Sequence, residues 1–248
     1  KIDMELLGEK AFSLKCKEYE DGSRKAYNSL FVKNGVIDTD RQAKLVRPLA
    51  LDLLEGETKN NVQKRLIKAI EDYDCCVGTG FLSTPFILPV LAEAGYSDIA
   101  YRVLENEKAP GWLSEVKAGA TTVWENWEGD LSQNHYSPGS AVEWLFNSVL
   151  GINIETDNRI IVKPVFTDTL EYAKGSYNSI YGSVSAAWKK TESGYEYSVT
   201  VPANVRAAAH INGKEIILST GENVIRVPFE NSSSQIGKEG LDNGTFRI

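Results

Sequence analysis

The feature that most constrains this chain is a change of texture near residues 152–158. Before it, apolar residues recur at three- and four-residue spacing. After it, they alternate in short runs broken by Asn, Gly, Ser and Pro. The first pattern is that of amphipathic helices with one buried stripe. The second is that of short antiparallel strands in a β-sandwich, which bury every other side chain. The 248 residues therefore read as a helical domain, 1–153, followed by a β-sandwich, 154–248.

Within the first part, residues 3–20 predict a helix that Asp21-Gly22-Ser23 punctuates. A second helix, 24–32, sets Ala26, Tyr27, Leu30 and Phe31 on one face. Asn34-Gly35 is a turn. Asp40 opens a helix to Leu54, in which Pro48 predicts a kink or a break, with Gly56 just past its end as a C-terminal stop. Residues 58–73 carry the stripe Val62, Leu66, Ile67 and Ile70. Helices over 81–94 and 98–106 meet at Gly95, a short segment runs from Pro110-Gly111 through Ala118, and a last helix spans 138–150. These are helix pairs joined by unequal loops, and the long loops, 74–80 and 119–136, are where function would sit. In the second part the strand runs are 160–162, 183–185, 195–201, 207–211, 216–218 and 224–227.

Charge and composition narrow the partners. The net charge is −7, with no Lys/Arg run or basic patch, which argues against nucleic acid and anionic membrane. No apolar run approaches the length of a membrane span, and no signal peptide opens the chain, so a cytoplasmic protein is expected. The three cysteines, Cys16, Cys75 and Cys76, are an odd number without metal-type spacing and read as reduced thiols. No cofactor or metal is implied. The chain opens on Lys1 rather than Met, so a longer parent protein is expected.

Four of the five tryptophans fall between Trp112 and Trp144, together with His135, one of two histidines, and the carboxylates Glu125, Glu128 and Asp130. Flat apolar rings beside acids and an imidazole suit a polar ring-shaped ligand such as a sugar. The rings offer stacking surface, and the polar groups bind hydroxyls and move protons.

The order of several stretches adds a family. Thr79-Gly80-Phe81-Leu82-Ser83-Thr84-Pro85, Pro89-Val90-Leu91-Ala92-Glu93-Ala94-Gly95, Gly119-Ala120-Thr121-Thr122-Val123-Trp124-Glu125, Asn134-His135-Tyr136 and Glu143-Trp144-Leu145 resemble the C-terminal part of bacterial α-L-rhamnosidases of glycoside hydrolase family 78. Tyr177-Asn178-Ser179-Ile180-Tyr181-Gly182, Trp188 and Val201-Pro202-Ala203-Asn204 are similar to that family's closing β-sandwich. The resemblance implies an (α/α)6 barrel of twelve helices. This chain has only about seven helical segments, so it corresponds to about half a barrel plus the sandwich. The partners implied are a rhamnose-containing glycoside and either the remainder of the barrel or a second copy of the chain.

The resemblance also implies inversion at the anomeric carbon, with Glu125 as general base. No stretch here matches the family's general acid, which lies in the barrel's other half. Trp124 and Trp127 would wall the pocket. Trp112 would meet the sugar or its aglycone, and His135 is either a sugar contact or a packed histidine. Thr79 either lines the pocket or caps a helix. Glu128 is the reserve base and Asp130 a support, Glu143 bonds a hydroxyl or a neighbouring loop, and Asp74 is left between capping and binding. Phe81, Tyr136 and Trp144 read as packing residues, the sandwich aromatics as core, and His210 has no evident partner. The alternative is a non-catalytic sugar-binding or structural remnant of such an enzyme.

Overall fold

The structure, a computed structural model, describes residues 7–155 and 157–229. The chain divides into two compact units between Ser148 and Val149. Part of the first predicted helix, residues 3–6, lies outside the described residues.

The first unit is helical. Helix α1 spans Lys10–Phe31 without interruption, although Asp21-Gly22-Ser23 predicts a stop. Ion pairs of i,i+3 and i,i+4 type stitch across the glycine: Arg24 to Asp21 at 3.6 Å and Arg24 to Glu20 at 3.4 Å. Such pairs add only a few tenths of a kcal/mol each, but they oppose the cost of Gly22, about 1 kcal/mol. A short hairpin follows, β1 (Val32–Lys33) and β2 (Val36–Ile37), turning on Asn34 and Gly35 at φ 51° and 72°. Positive φ at both central residues is what Asn-Gly supplies in a two-residue hairpin.

Helix α2, Gln42–Ala50, is shorter than predicted and Pro48 lies inside its last turn. Helical bonding runs past the proline to Leu51, whose N–H donates to the Arg47 carbonyl, and the carbonyl of Pro48 accepts the N–H of Leu53 in the turn that ends the helix. Gly56 begins helix α3, Gly56–Glu71, and is not a stop. The α3 stripe Val62, Leu66 and Ile70 is buried as the periodicity requires, while Ile67 is only half-buried. Helices α4 (Thr84–Glu93) and α5 (Ser97–Leu104) pack as a pair around Gly95 at φ 82°, where only glycine turns without strain. Short helices α6 (Trp112–Lys117), α7 (Tyr136–Gly139) and α8 (Ala141–Trp144) follow, the last running into a π-helical turn, Leu145–Val149. Trp144 is core, edge-on to Tyr101 at 5.1 Å. Among the described residues the helices form hairpin pairs and do not close a ring. No helix there is long and apolar enough to cross a membrane.

The second unit is two four-stranded sheets. One is β10-β7-β6-β5, antiparallel throughout, from strands β5 (Tyr172–Ser179), β6 (Gly182–Thr191), β7 (Gly194–Val201) and β10 (Gly221–Pro228). The other is β3-β4-β8-β9, from β3 (Ile152–Glu155), β4 (Arg159–Val162), β8 (Arg206–Ile211) and β9 (Lys214–Leu218). One pair in it, β4 with β8, is parallel. Alternation puts Val184, Ala186 and Trp188 of β6 and Tyr195, Tyr197, Val199 and Val201 of β7 inside. Phe166 stacks on Tyr195 at 4.6 Å and meets Trp188 and Tyr197 edge-on. Trp188 Nε1 donates to the Val149 carbonyl and Tyr197 Oη to the Leu150 carbonyl, so both buried polar tips are satisfied. Tyr172 and Tyr177, expected in the core, are exposed on the edge strand β5. His210, for which no partner was evident, faces Glu215 across the β8–β9 hairpin, Nε2 to Oε2 3.7 Å.

Candidate active site

The loop from Gly119 to His135 is held by its own backbone. The N–H of Glu125 donates to the Ser132 carbonyl at 2.7 Å, and the N–H of His135 donates to the Val123 carbonyl at 3.0 Å. Gly129, at φ 73°, lies directly beneath the Trp124 ring: a Cβ there would stand 2.6 Å from its Cζ3. Trp124 thus covers its own loop, half-buried, and Trp127 is held edge-on against Trp112 at 5.7 Å.

The three carboxylates of this loop are not equivalent. Asn126 Nδ2 donates to Glu128 Oε2 at 3.1 Å and to Asp130 Oδ1 at 2.5 Å, which ties both acids to the loop. Glu125 is exposed, and its carboxylate makes no hydrogen bond or ion pair among the described residues.

The second long loop reaches the same place. Ser137 Oγ donates to the Phe81 carbonyl at 2.5 Å, and the rings of Phe81 and His135 meet edge-on at 6.2 Å. Phe81, expected in the core, is 54% exposed, because helix α4 begins only at Thr84 and leaves Phe81 on the preceding turn. Tyr136, expected to pack, is 71% exposed and stacks on His135 at 4.9 Å. The Ser137 N–H donates to His135 Nδ1, so in the neutral imidazole Nε2 carries the proton and is the edge able to donate to a ligand. Thr79 does not cap α4. Its hydroxyl pairs with the Thr84 hydroxyl at 2.9 Å.

Trp112 is 9% exposed, with its indole N–H committed to the Pro138 carbonyl at 2.9 Å. It backs Trp127 and is not an open platform. Asp74 is spoken for by Lys108, at 2.9 Å, and Glu143 accepts from Asn147. Cys75 and Cys76 are buried free thiols, and burial pushes the Cys75 thiol above its ordinary pKa.

Two polar residues went unmarked in the sequence. Gln42 is buried; its amide donates to the Cys76 carbonyl and accepts from the Gly78 N–H, which fixes the turn leading to Thr79. It shares a helix face with Leu45, Val46 and Leu49, the one cue the sequence offers. Glu115 is also buried, with Oε2 accepting the Trp124 N–H at 3.2 Å. Desolvation raises its pKa, offset in part by that backbone N–H. Its cue is its position three residues after Trp112, on the same face of α6.

The arrangement is thus two loops carrying an unpaired carboxylate, half-buried tryptophans and a histidine donor edge. Residues 5–149 match the bacterial alpha-L-rhamnosidase 6 hairpin glycosidase domain, and residues 158–226 match the bacterial alpha-L-rhamnosidase C-terminal domain. The chain belongs to the bacterial α-L-rhamnosidase family. An α-L-rhamnosidase of Formosa agariphila is 31% identical over 97% of this chain and 26% of its own length, and one of Alteromonas is 33% identical over 80% and 24%. Among solved structures, the native rhamnosidase of Aspergillus terreus superposes with a TM-score of 0.84 at 27% identity, over 90% of this chain and 28% of that one. The Streptomyces avermitilis rhamnosidase complexed with L-rhamnose gives 0.75 at 26%, over 81% and 23%. This chain therefore spans about a quarter of the length of the rhamnosidases it matches, and comprises six-hairpin glycosidase and C-terminal β-sandwich portions of the family.

Proposed function

We propose that this chain is the C-terminal portion of an inverting α-L-rhamnosidase and supplies its general base, Glu125. The observation that carries the proposal is the difference among the loop's three acids. Glu128 and Asp130 are held by Asn126, while Glu125 is exposed and unpaired beside Trp124. A base must be free to take a proton from water, and an unpaired exposed carboxylate meets that need.

Inversion in one step requires two carboxyl groups roughly 6.5–9.5 Å apart on opposite faces of the sugar, with room for a water. Glu125 deprotonates that water as its oxygen attacks the anomeric carbon. The leaving oxygen departs with a proton from an acid that belongs to the part of the longer enzyme outside this chain. Trp124 and Trp127 restrict water around the base, His135 Nε2–H donates to a sugar hydroxyl, and Thr79 lines the wall beside Phe81. Trp112 acts on the ligand through Trp127.

The test of inversion is the anomer first released by the full-length enzyme from an aryl α-L-rhamnoside, followed by proton NMR. β-L-Rhamnose appearing first supports the reading; α-L-rhamnose appearing first overturns it.

A further inference from the structure

We propose that Glu115 is a positioning residue for the base: its buried carboxyl acts as a fixed hydrogen-bond acceptor that sets the Val123–Trp124 peptide, one residue before Glu125. This rests on the reading of Glu125 as the base.

Three consecutive residues are pinned where the base emerges. The Val123 carbonyl accepts from His135 N–H, the Trp124 N–H donates to Glu115 Oε2 at 3.2 Å, and the Glu125 N–H donates to the Ser132 carbonyl. The middle contact alone comes from a side chain. Residue 115 holds the loop a second time through its own carbonyl, which accepts the Ala120 N–H at 3.0 Å. One residue of α6 therefore fixes both the start of the loop and the peptide one residue before the base.

A carboxyl group is an expensive way to provide one acceptor in a dry place. Glu115 is 3% exposed, its Oε1 has no hydrogen-bond partner, and no cation pairs with it among the described residues. An unpaired buried charge is strongly disfavoured, so the group is held toward its neutral form, in keeping with the raised pKa. What it supplies is then an oxygen at a set place, not a charge. The placement bears on chemistry, because a misplacement of about 1 Å can cost about 10²-fold in rate. It bears little on substrate affinity, which the aromatic walls and His135 provide.

The experiment uses the full-length enzyme with Glu115→Gln, Glu115→Leu and Glu115→Asp, and Glu125→Gln alongside. Each is read by kcat and KM on an aryl α-L-rhamnoside and by thermal unfolding. Glutamine keeps the acceptor, and kcat is expected within about threefold of wild type. Leucine removes it and aspartate withdraws it by one methylene; both are expected to lower kcat at least tenfold with KM within threefold. A folded leucine variant with kcat within threefold of wild type overturns the proposal, because a merely structural residue would lower the Tm and leave turnover of the folded enzyme intact. If the leucine variant does not fold, the aspartate variant decides: turnover equal to that of the glutamine variant overturns the proposal. A glutamine variant as slow as the leucine variant also overturns it. Normal turnover of Glu125→Gln would sink the base assignment itself. Loss of turnover in Glu125→Gln with an unaffected Glu115→Leu would sink only this inference.

Discussion

The N–H of Glu125 donates to the Ser132 carbonyl at 2.7 Å, and this bond closes the turn that carries Glu125, Glu128 and Asp130. Within it, the side chain of Glu125 is left free while Asn126 restrains Glu128 and Asp130. The closure turns a mobile type of segment into a fixed mount for one carboxylate. Several consequences are measurable.

Gly129 is the loop's tightest point. Its φ of 73° disfavours any L side chain, and a Cβ would collide with the Trp124 ring. Gly129→Ala is expected to cost about 1–3 kcal/mol, from left-handed strain and displacement of the ring. Thermal unfolding reads the cost, and a change in tryptophan emission reports the ring. An unshifted Tm with unchanged emission would contradict the packing.

Glu128 separates a base from a support. Because Asn126 already holds it, Glu128→Gln keeps a partner able to accept from Asn126, and turnover of the full-length enzyme is expected to fall less than tenfold. A loss of a thousandfold or more in steady-state assays would move the base assignment from Glu125 to Glu128.

The buried Glu115 makes stability depend on pH in an unusual direction for a carboxylate. Its folded pKa lies above its unfolded one, so the folded state binds the proton more tightly. Its contribution is therefore most favourable below the ordinary carboxyl pKa and is lost as pH rises through the raised folded value. Glu115→Gln has no proton to lose. Relative to wild type, the glutamine variant should gain stability on going from about pH 4 to pH 7. Denaturant unfolding at the two pH values checks the sign; a relative gain on acidification would refute it.

How much of this was legible in the sequence varies by element. The stripe Val62, Leu66, Ile70 and the strand runs around Tyr195–Val201 and Ala207–Ile211 follow from side-chain period alone, because each buries one face. Strand β5 was not legible. It is an edge strand whose Lys174-Gly175-Ser176 centre has no apolar alternation, and pairing with β6 forms it. The continuity of α1 through Gly22 is aided by ion pairs that partly offset a punctuation signal, a balance that propensity does not reveal. Glu125 stood out through its tryptophan neighbours and the family pattern. Glu115 did not, because a lone acid in Trp-Leu-Ser-Glu-Val-Lys reads as solvated until the fold shows Oε2 beneath the Trp124 N–H.

Helix α1 carries Leu14, Tyr19, Leu30 and Phe31 exposed, with Phe12 beside them. This many exposed large apolar side chains on one helix is more than a single scattered hydrophobe and favours association. We expect the isolated chain to self-associate and to hydrolyse an aryl α-L-rhamnoside at no measurable rate. Light scattering showing a monodisperse monomer, or turnover by the isolated chain, would argue against its being one portion of a larger catalytic unit.

The central claim is that Glu125 activates the water. The most direct measurement is the kcat of Glu125→Gln in the full-length enzyme, beside its circular dichroism spectrum and Tm. Loss of the base is expected to lower kcat by about 10²–10⁴-fold with the fold intact. Near-normal turnover by a correctly folded Glu125→Gln enzyme would contradict the account.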